Sequence, residues 1–175
     1  IGLLPAFRLD YDGEESLGKN AATFQVSEKA LIEGKTVIMY PEAGHQDKHW
    51  LGTFSLGYTK MAFEAAEMAK FEKDVQILPA CNHYSHYFGL RNRMLVKFGT
   101  PISLQPYYEL YKTKPRTAQR DVNKLVREQI SSMMLDIRDL ENYEVVDFIR
   151  TTYGEDYAKK QGADPDNLPE RLLID

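Results

Sequence analysis

Paired cysteines, an excess of basic charge and long apolar runs are all missing from this chain, and each absence removes a class of protein. Cys81 is the single cysteine in 175 residues, so no internal disulfide can form; in an apolar run it reads as a small core hydrophobe suited to a reducing compartment. Acidic residues outnumber basic ones by 26 to 22, giving a formal net charge of −4, which argues against nucleic acid as the principal partner. No stretch approaches the roughly 18 consecutive apolar residues that cross a bilayer, so membrane contact is expected to be peripheral or to lie outside this chain. Internal repeats, low-complexity tracts and the Gly-x-Ser-x-Gly elbow of an α/β hydrolase are missing as well.

What remains is ordinary globular usage, 43% hydrophobic and 27% charged, in a chain long enough for one domain with a real core. Strand and helix alternate over the first hundred residues. Residues 3–8 form a short apolar strand ending in Arg8, followed by the polar turn 10–16. A helix is predicted over 20–33, with Asn20 as N-cap and Gly34 as its stop. Residues 36–39, mostly β-branched and apolar, read as a buried strand that Pro41 ends. Phe54, Tyr58, Met61, Ala62, Ala65 and Ala69 recur at helical spacing and predict a helix over 54–70. Strands follow around Val75 and Met94, joined by a loop over 82–91. Beyond Pro106 the stripe Val122, Leu125, Val126, Ile130, Met133 and Ile137 predicts a helix over 116–140, and a shorter one is expected over 145–152.

The stretch Tyr40-Pro41-Glu42-Ala43-Gly44-His45 carries the most information. It lies where a strand empties into a loop before a helix, the position at which open α/β sheets bind ligands. On composition alone Pro-Glu-x-Gly is an ordinary turn. Its neighbours change that reading: Leu3-Leu-Pro5-Ala-Phe7-Arg8 upstream, Leu51-Gly-Thr-Phe54-Ser-Leu-Gly57 downstream, then Val75-Gln-Ile77-Leu78-Pro79-Ala80-Cys81 and Arg93-Met-Leu-Val-Lys-Phe98-Gly99-Thr-Pro101-Ile102.

In that order and spacing, these blocks resemble the glycerolipid acyltransferase superfamily over about residues 1–105. Members carry a strand-Pro-Glu-Gly-Thr-Arg loop, a Phe-x-x-Gly helix start, an arginine-ending strand before the loop and an apolar strand with proline after it. The resemblance implies an α/β fold, a mixed sheet flanked by helices, similar to a glycerol-3-phosphate (1)-acyltransferase. On this reading residues 1–105 are the C-terminal part of the acyltransferase domain, 106–161 a helical extension packed on the same domain, and 162–175 an extended tail.

Two departures stand out. The family's Gly-Thr-Arg is here Ala43-Gly44-His45, so an arginine is replaced by a side chain only partly protonated near neutrality, and its phosphate contact is weakened or passes to Lys48. The family's catalytic His-x-x-x-x-Asp is also missing: five residues after His45, His49, His83 and His86 stand Trp50, Phe54, Phe88 and Arg91. In relatives that motif precedes the arginine-ending strand, so the base is expected upstream of Ile1, with no catalytic residue in this chain.

The implied chemistry moves a fatty acyl group from acyl-CoA or acyl-carrier protein, as co-substrate, to the hydroxyl of a lysophosphatidic acid-like acceptor. It needs no metal or other cofactor and forms no covalent intermediate. Arg8 suits the acceptor phosphate, because a guanidinium offers paired planar donors; without the motif it would read as a surface partner of Asp10 or Asp12. The resemblance gives Glu42 a contact with an acceptor hydroxyl or with the arginine, Gly44 a close backbone approach to phosphate, and His45 a further polar contact. His83 and His86 with Tyr84 and Tyr87 read as a polar loop rather than a metal cluster, lacking thiolates or a helix to align them. Lys19, Lys48 and Lys60 read as solvated charges. The expected setting is cytoplasmic, in peripheral contact with the inner face of a membrane. A non-catalytic lipid- or acyl-chain-binding module of the same fold is the alternative.

Overall fold

The computed structural model describes residues 18, 20–42, 44, 48–85 and 93–174. The expected strand 3–8 with Arg8, the turn 10–16, His45, His86 and most of the 82–91 loop lie outside the described residues. The rest divides into two compact units, each assembled from separated stretches. One takes the described residues up to Pro41 and those in 55–77 and 102–124; the other takes the described residues in 42–54 and 78–101 and from 125 onward. The boundary expected at residue 105 is therefore an edge of neither unit, and the helical extension is shared between them.

In the first unit helix α1 (Asn20–Ile32) packs on helix α2 (Gly57–Met68). Gly34, at φ +81°, ends the α1 segment as expected: its left-handed turn lets the Lys35 N–H reach back to the Ala30 carbonyl at 2.9 Å. Helix α2 begins three residues later than predicted, at Gly57, because Phe54 is drawn into a bridge with Glu42. Its inner face buries Tyr58, Met61, Ala62, Ala65 and also Phe63, whose ring stacks on Tyr111 at 4.5 Å. Tyr111 lies on helix α3 (Tyr108–Thr113), and burial, with Glu67 and Glu64 nearby, pushes its hydroxyl pKa up to about 12. Tyr108 ties the unit together, since its hydroxyl donates to the Lys73 carbonyl at 2.8 Å and accepts from the Val75 N–H at 3.1 Å.

The expected mixed sheet is realised, among the described residues, as two antiparallel pairs. Strand β1 (Gln76–Ile77) pairs with β4 (Ile102–Ser103) in the first unit, and β2 (Ala80–Tyr84) with β3 (Met94–Phe98) in the second. Prolines explain the division. Pro79 and Pro101 have no N–H to give a ladder, so each of the two predicted strands is cut in two. Residues 36–39 are a further correction: they pair with no strand among the described residues, and Ile38 is 79% and Tyr40 81% exposed. The neighbour that the sequence offers them, residues 3–8, is outside the described part.

Helix α4 (Pro115–Met133) contributes to both units and buries Ala118, Val122, Val126 and Ile130, four positions of one face. The short helix expected over 145–152 is longer, α5 (Tyr143–Lys160). Gly154 does not end it; Gly162 does, at φ +79°, where the Ala163 N–H bonds the Ala158 carbonyl at 3.0 Å. The predicted extended tail is corrected too, because Leu168–Ile174 forms helix α6. Pro169 is tolerated in the first turn, and Glu170 reaches back to accept from the Asp164 N–H and the Asn167 amide, both at 2.7 Å. No helix among the described residues is long and apolar enough to cross a membrane.

Candidate functional site

Of the four residues singled out for acceptor binding, two are described. Glu42 is half-buried and Gly44 exposed, while Arg8 and His45 lie outside the described residues. Glu42 is held by a segment ten residues further on. It forms an isolated antiparallel bridge with Phe54, and its carboxylate Oε1 accepts the Gly52 N–H at 2.6 Å. Oε2 takes no hydrogen bond among the described residues. A half-buried carboxylate with one oxygen fixed by a backbone N–H presents the other in a defined direction, as an acceptor for a hydroxyl or a partner for a cation.

Glycine at position 52 makes this approach possible. A Cβ there would run into the Glu42 carboxylate, Oε1 first. The carbonyl side of the same peptide is also taken: Arg127 of α4 donates through Nη1 to the Gly52 carbonyl and through Nη2, at 3.0 Å, to that of Leu51. Its guanidinium stands 5.8 Å from the centre of the buried Phe54 ring.

The strap 48–54 is fastened along its length by the C-terminal third of the chain. Asp136 accepts the Leu51 N–H at 3.0 Å and the Ser131 hydroxyl at 2.7 Å, and Arg138 approaches it at 3.1 Å. Burial raises the Asp136 pKa, but these hydrogen bonds and the Arg138 charge more than offset it, leaving the carboxyl below its ordinary value. The Tyr143 hydroxyl accepts the His49 N–H at 2.8 Å, and the His49 carbonyl accepts the Ile137 N–H at 2.7 Å. Lys48, the suggested substitute phosphate ligand, is bonded to Glu144 at 2.7 Å and lies over the Tyr143 ring; the Glu144 bond holds its pKa above the ordinary lysine value.

Two of the four histidines, His49 and His83, are described and buried, with ring centres 5.8 Å apart. His83 shares β2's inner side with Cys81, whose thiol pKa is raised by burial, as expected of a core residue. Among the described residues no group of three or more His, Cys, Asp or Glu side chains is arranged to hold a metal ion.

Sequence reading did not find the residues that organise the strap. Arg127 sits beside the apolar stripe of α4 and looks like a solvated helix charge; Asp136 and Tyr143 are separated from Leu51 and His49 by 85 and 94 positions, so nothing local links them. The one local signal is Gly52, within the Leu51–Gly57 block that resembles the family.

No protein-family model matches the chain, and no solved structure matches it. Among curated proteins it is similar to an uncharacterized acyltransferase of Schizosaccharomyces pombe, 28% identical over 127 residues, 71% of this chain and 19% of the relative. It is also similar to glycerol-3-phosphate O-acyltransferase 2 of Saccharomyces cerevisiae, 28% identical over 135 residues, which cover 77% of this chain and 18% of that protein. Glycerol-3-phosphate O-acyltransferase 1 of the same yeast is 26% identical over 148 residues, 83% and 18% of the two chains. The chain thus spans about a fifth of the length of the curated relatives it matches. These likenesses support a distant relation to proteins named as acyltransferases.

Proposed function

We propose that this chain is part of a phospholipid-biosynthesis O-acyltransferase and carries the acceptor-binding portion of its site. The observation that carries the reading is Glu42, half-buried, anchored through Oε1 to the Gly52 N–H, within a loop that resembles the family's Pro-Glu segment. The relatives' names lend support, since all three are acyltransferases. In the reaction the acceptor hydroxyl attacks the thioester carbonyl of acyl-CoA or acyl-carrier protein and loses its proton to a general base. The carbon–sulfur bond breaks, and the thiolate leaves with a proton. Glu42 would receive a hydroxyl of the acceptor, Arg8 would hold its phosphate, and Gly44 and His45 would complete the phosphate contacts; the base would come from a His-x-x-x-x-Asp segment preceding Ile1. Acyl donor and acceptor are the only co-substrates, and contact with the inner face of a membrane is peripheral.

Lysophosphatidic acid and glycerol 3-phosphate are both acceptors of the required kind, a glycerol phosphate with a free hydroxyl, and the names of two relatives favour the second. The non-catalytic binding module stays as the other reading, favoured by the absence of His-x-x-x-x-Asp from this sequence.

The test is acyl transfer from labelled acyl-CoA to each acceptor, by this chain and by a polypeptide extended upstream. Transfer is expected only with an extension that supplies His-x-x-x-x-Asp, and loss again on replacing its histidine. Robust turnover by residues 1–175 alone would overturn the assignment of the base, and acceptor binding by an extended chain that neither contains the motif nor turns over would favour the binding module.

A further inference from the structure

We infer that Arg127 is a positioning residue of the acceptor site, acting through the Gly52 peptide on Glu42. The inference rests on the assignment of Glu42 proposed above. Gly52 is the point where the two requirements of the site conflict. Close approach of the Glu42 carboxylate excludes any Cβ at this position, and glycine brings with it the widest backbone freedom of any residue. A peptide free to turn would carry its N–H away from Oε1 and release the carboxylate. The Arg127 fork removes that freedom: it holds the carbonyls of Leu51 and Gly52 together, so the Gly52 peptide is bonded at its N–H by Glu42 and at its carbonyl by Arg127. A guanidinium does this better than an ammonium, since its two donors are fixed in one plane; the centre of the Phe54 ring stands 5.8 Å from it. Arg127 touches no acceptor in this account. Its effect is on where the Glu42 carboxylate points, and small displacements of a contacting group are costly in binding and turnover.

A double-mutant cycle on acceptor affinity tests this, using the full 175-residue chain and a short-chain, water-soluble lysophosphatidic acid followed by NMR titration. Arg127→Met is expected to weaken binding about tenfold with Glu42 present and less than twofold in a Glu42→Ala background, because the residue it positions is then gone. Arg127→Lys, which keeps the charge but not the fork, should recover less than half of the loss; it also carries the cycle if Arg127→Met does not fold. A purely structural role predicts equal losses in both backgrounds, and that additivity overturns the inference. Unchanged affinity in Arg127→Met and Arg127→Lys overturns it as well, leaving the Glu42 assignment intact. No saturable binding by the unaltered chain refutes the acceptor-site reading itself, and the inference with it.

Discussion

Replacing Asp136 by alanine should destabilise the strap more than any other single change in its carboxylates. The Asp136 side chain is 11% exposed and receives three donors, of unequal consequence. The Arg138 side chain is 77% exposed and turns to water when its partner is removed. The Ser131 hydroxyl can rotate toward another acceptor, but the Leu51 N–H belongs to a buried residue and is left unsatisfied. An orphaned buried donor costs about 1–3 kcal/mol and a charge-assisted bond about 1.5–3 kcal/mol; with the exposed part discounted, Asp136→Ala should cost about 2–4 kcal/mol. For a chain of this size that is a fall in Tm of roughly 4–16 °C. Asp136→Asn keeps a carbonyl oxygen for Leu51 and should cost about half as much. The sign with pH follows from the lowered pKa. The contribution is present above the unfolded carboxyl pKa of roughly 4 and disappears as pH falls through the still lower folded value, so wild type and Asp136→Asn should converge in strong acid. Thermal melts followed by circular dichroism between pH 7 and pH 2 make the measurement. A loss below 2 °C for Asp136→Ala at pH 7, or a gap between wild type and Asp136→Asn that widens in acid, would refute the reasoning.

Glu28, only 7% exposed, has its pKa raised by burial first and by the Glu64 charge second, so its ionised form opposes folding above the ordinary carboxyl range. Stability lost as pH rises through the folded pKa should be restored by Glu28→Gln, whose Tm advantage at pH 7 should vanish near pH 4 in a calorimetric scan. Lys70 and Phe71 both have positive φ, 52° and 59°, at the end of α2. Lys70→Gly should gain about 1 kcal/mol in denaturant unfolding. A Cβ at Gly99 would stand 2.5 Å from the Gln129 Oε1 that accepts the Thr100 N–H and would displace that side-chain end, so Gly99→Ala should cost no more than about 1 kcal/mol, the lost hydrogen bond, by the same measurement. In an extended, active polypeptide Arg8→Ala should raise KM for the phosphorylated acceptor, on the order of 1.5–3 kcal/mol in kcat/KM, with the acyl-donor KM unchanged.

The elements that the sequence revealed are those whose evidence is local. Helix α1 and its Gly34 stop, the apolar face of α2 and the α4 stripe as far as Met133 follow from spacing over a few turns, whereas Ile137, expected in the same helix over 116–140, lies beyond its end. Pro79 and Pro101 were visible too, but as features of strands rather than as the breaks that divide each into two ladders. Helix α6 was missed because its first-turn proline and polar lead-in, residues 162–167, look like a chain that cannot pack; the Glu170 bonds that organise it are too short in range to show as periodicity. At the candidate site Glu42 was legible through its motif. What holds Glu42 was not: Gly52 is ten residues away and Arg127 lies 75 beyond that, and contacts so distant in sequence leave no local pattern.

The Gly52 amide offers the most direct test, because it donates to the carboxylate proposed to meet the acceptor. In a 15N-labelled sample of the chain titrated with short-chain lysophosphatidic acid or glycerol 3-phosphate, its resonance should move saturably, and the same titration of Glu42→Ala should leave it still while the rest of the spectrum shows the variant folded. A Gly52 resonance indifferent to both acceptors, or one that responds equally after Glu42 is removed, would contradict the placement of the acceptor at Glu42.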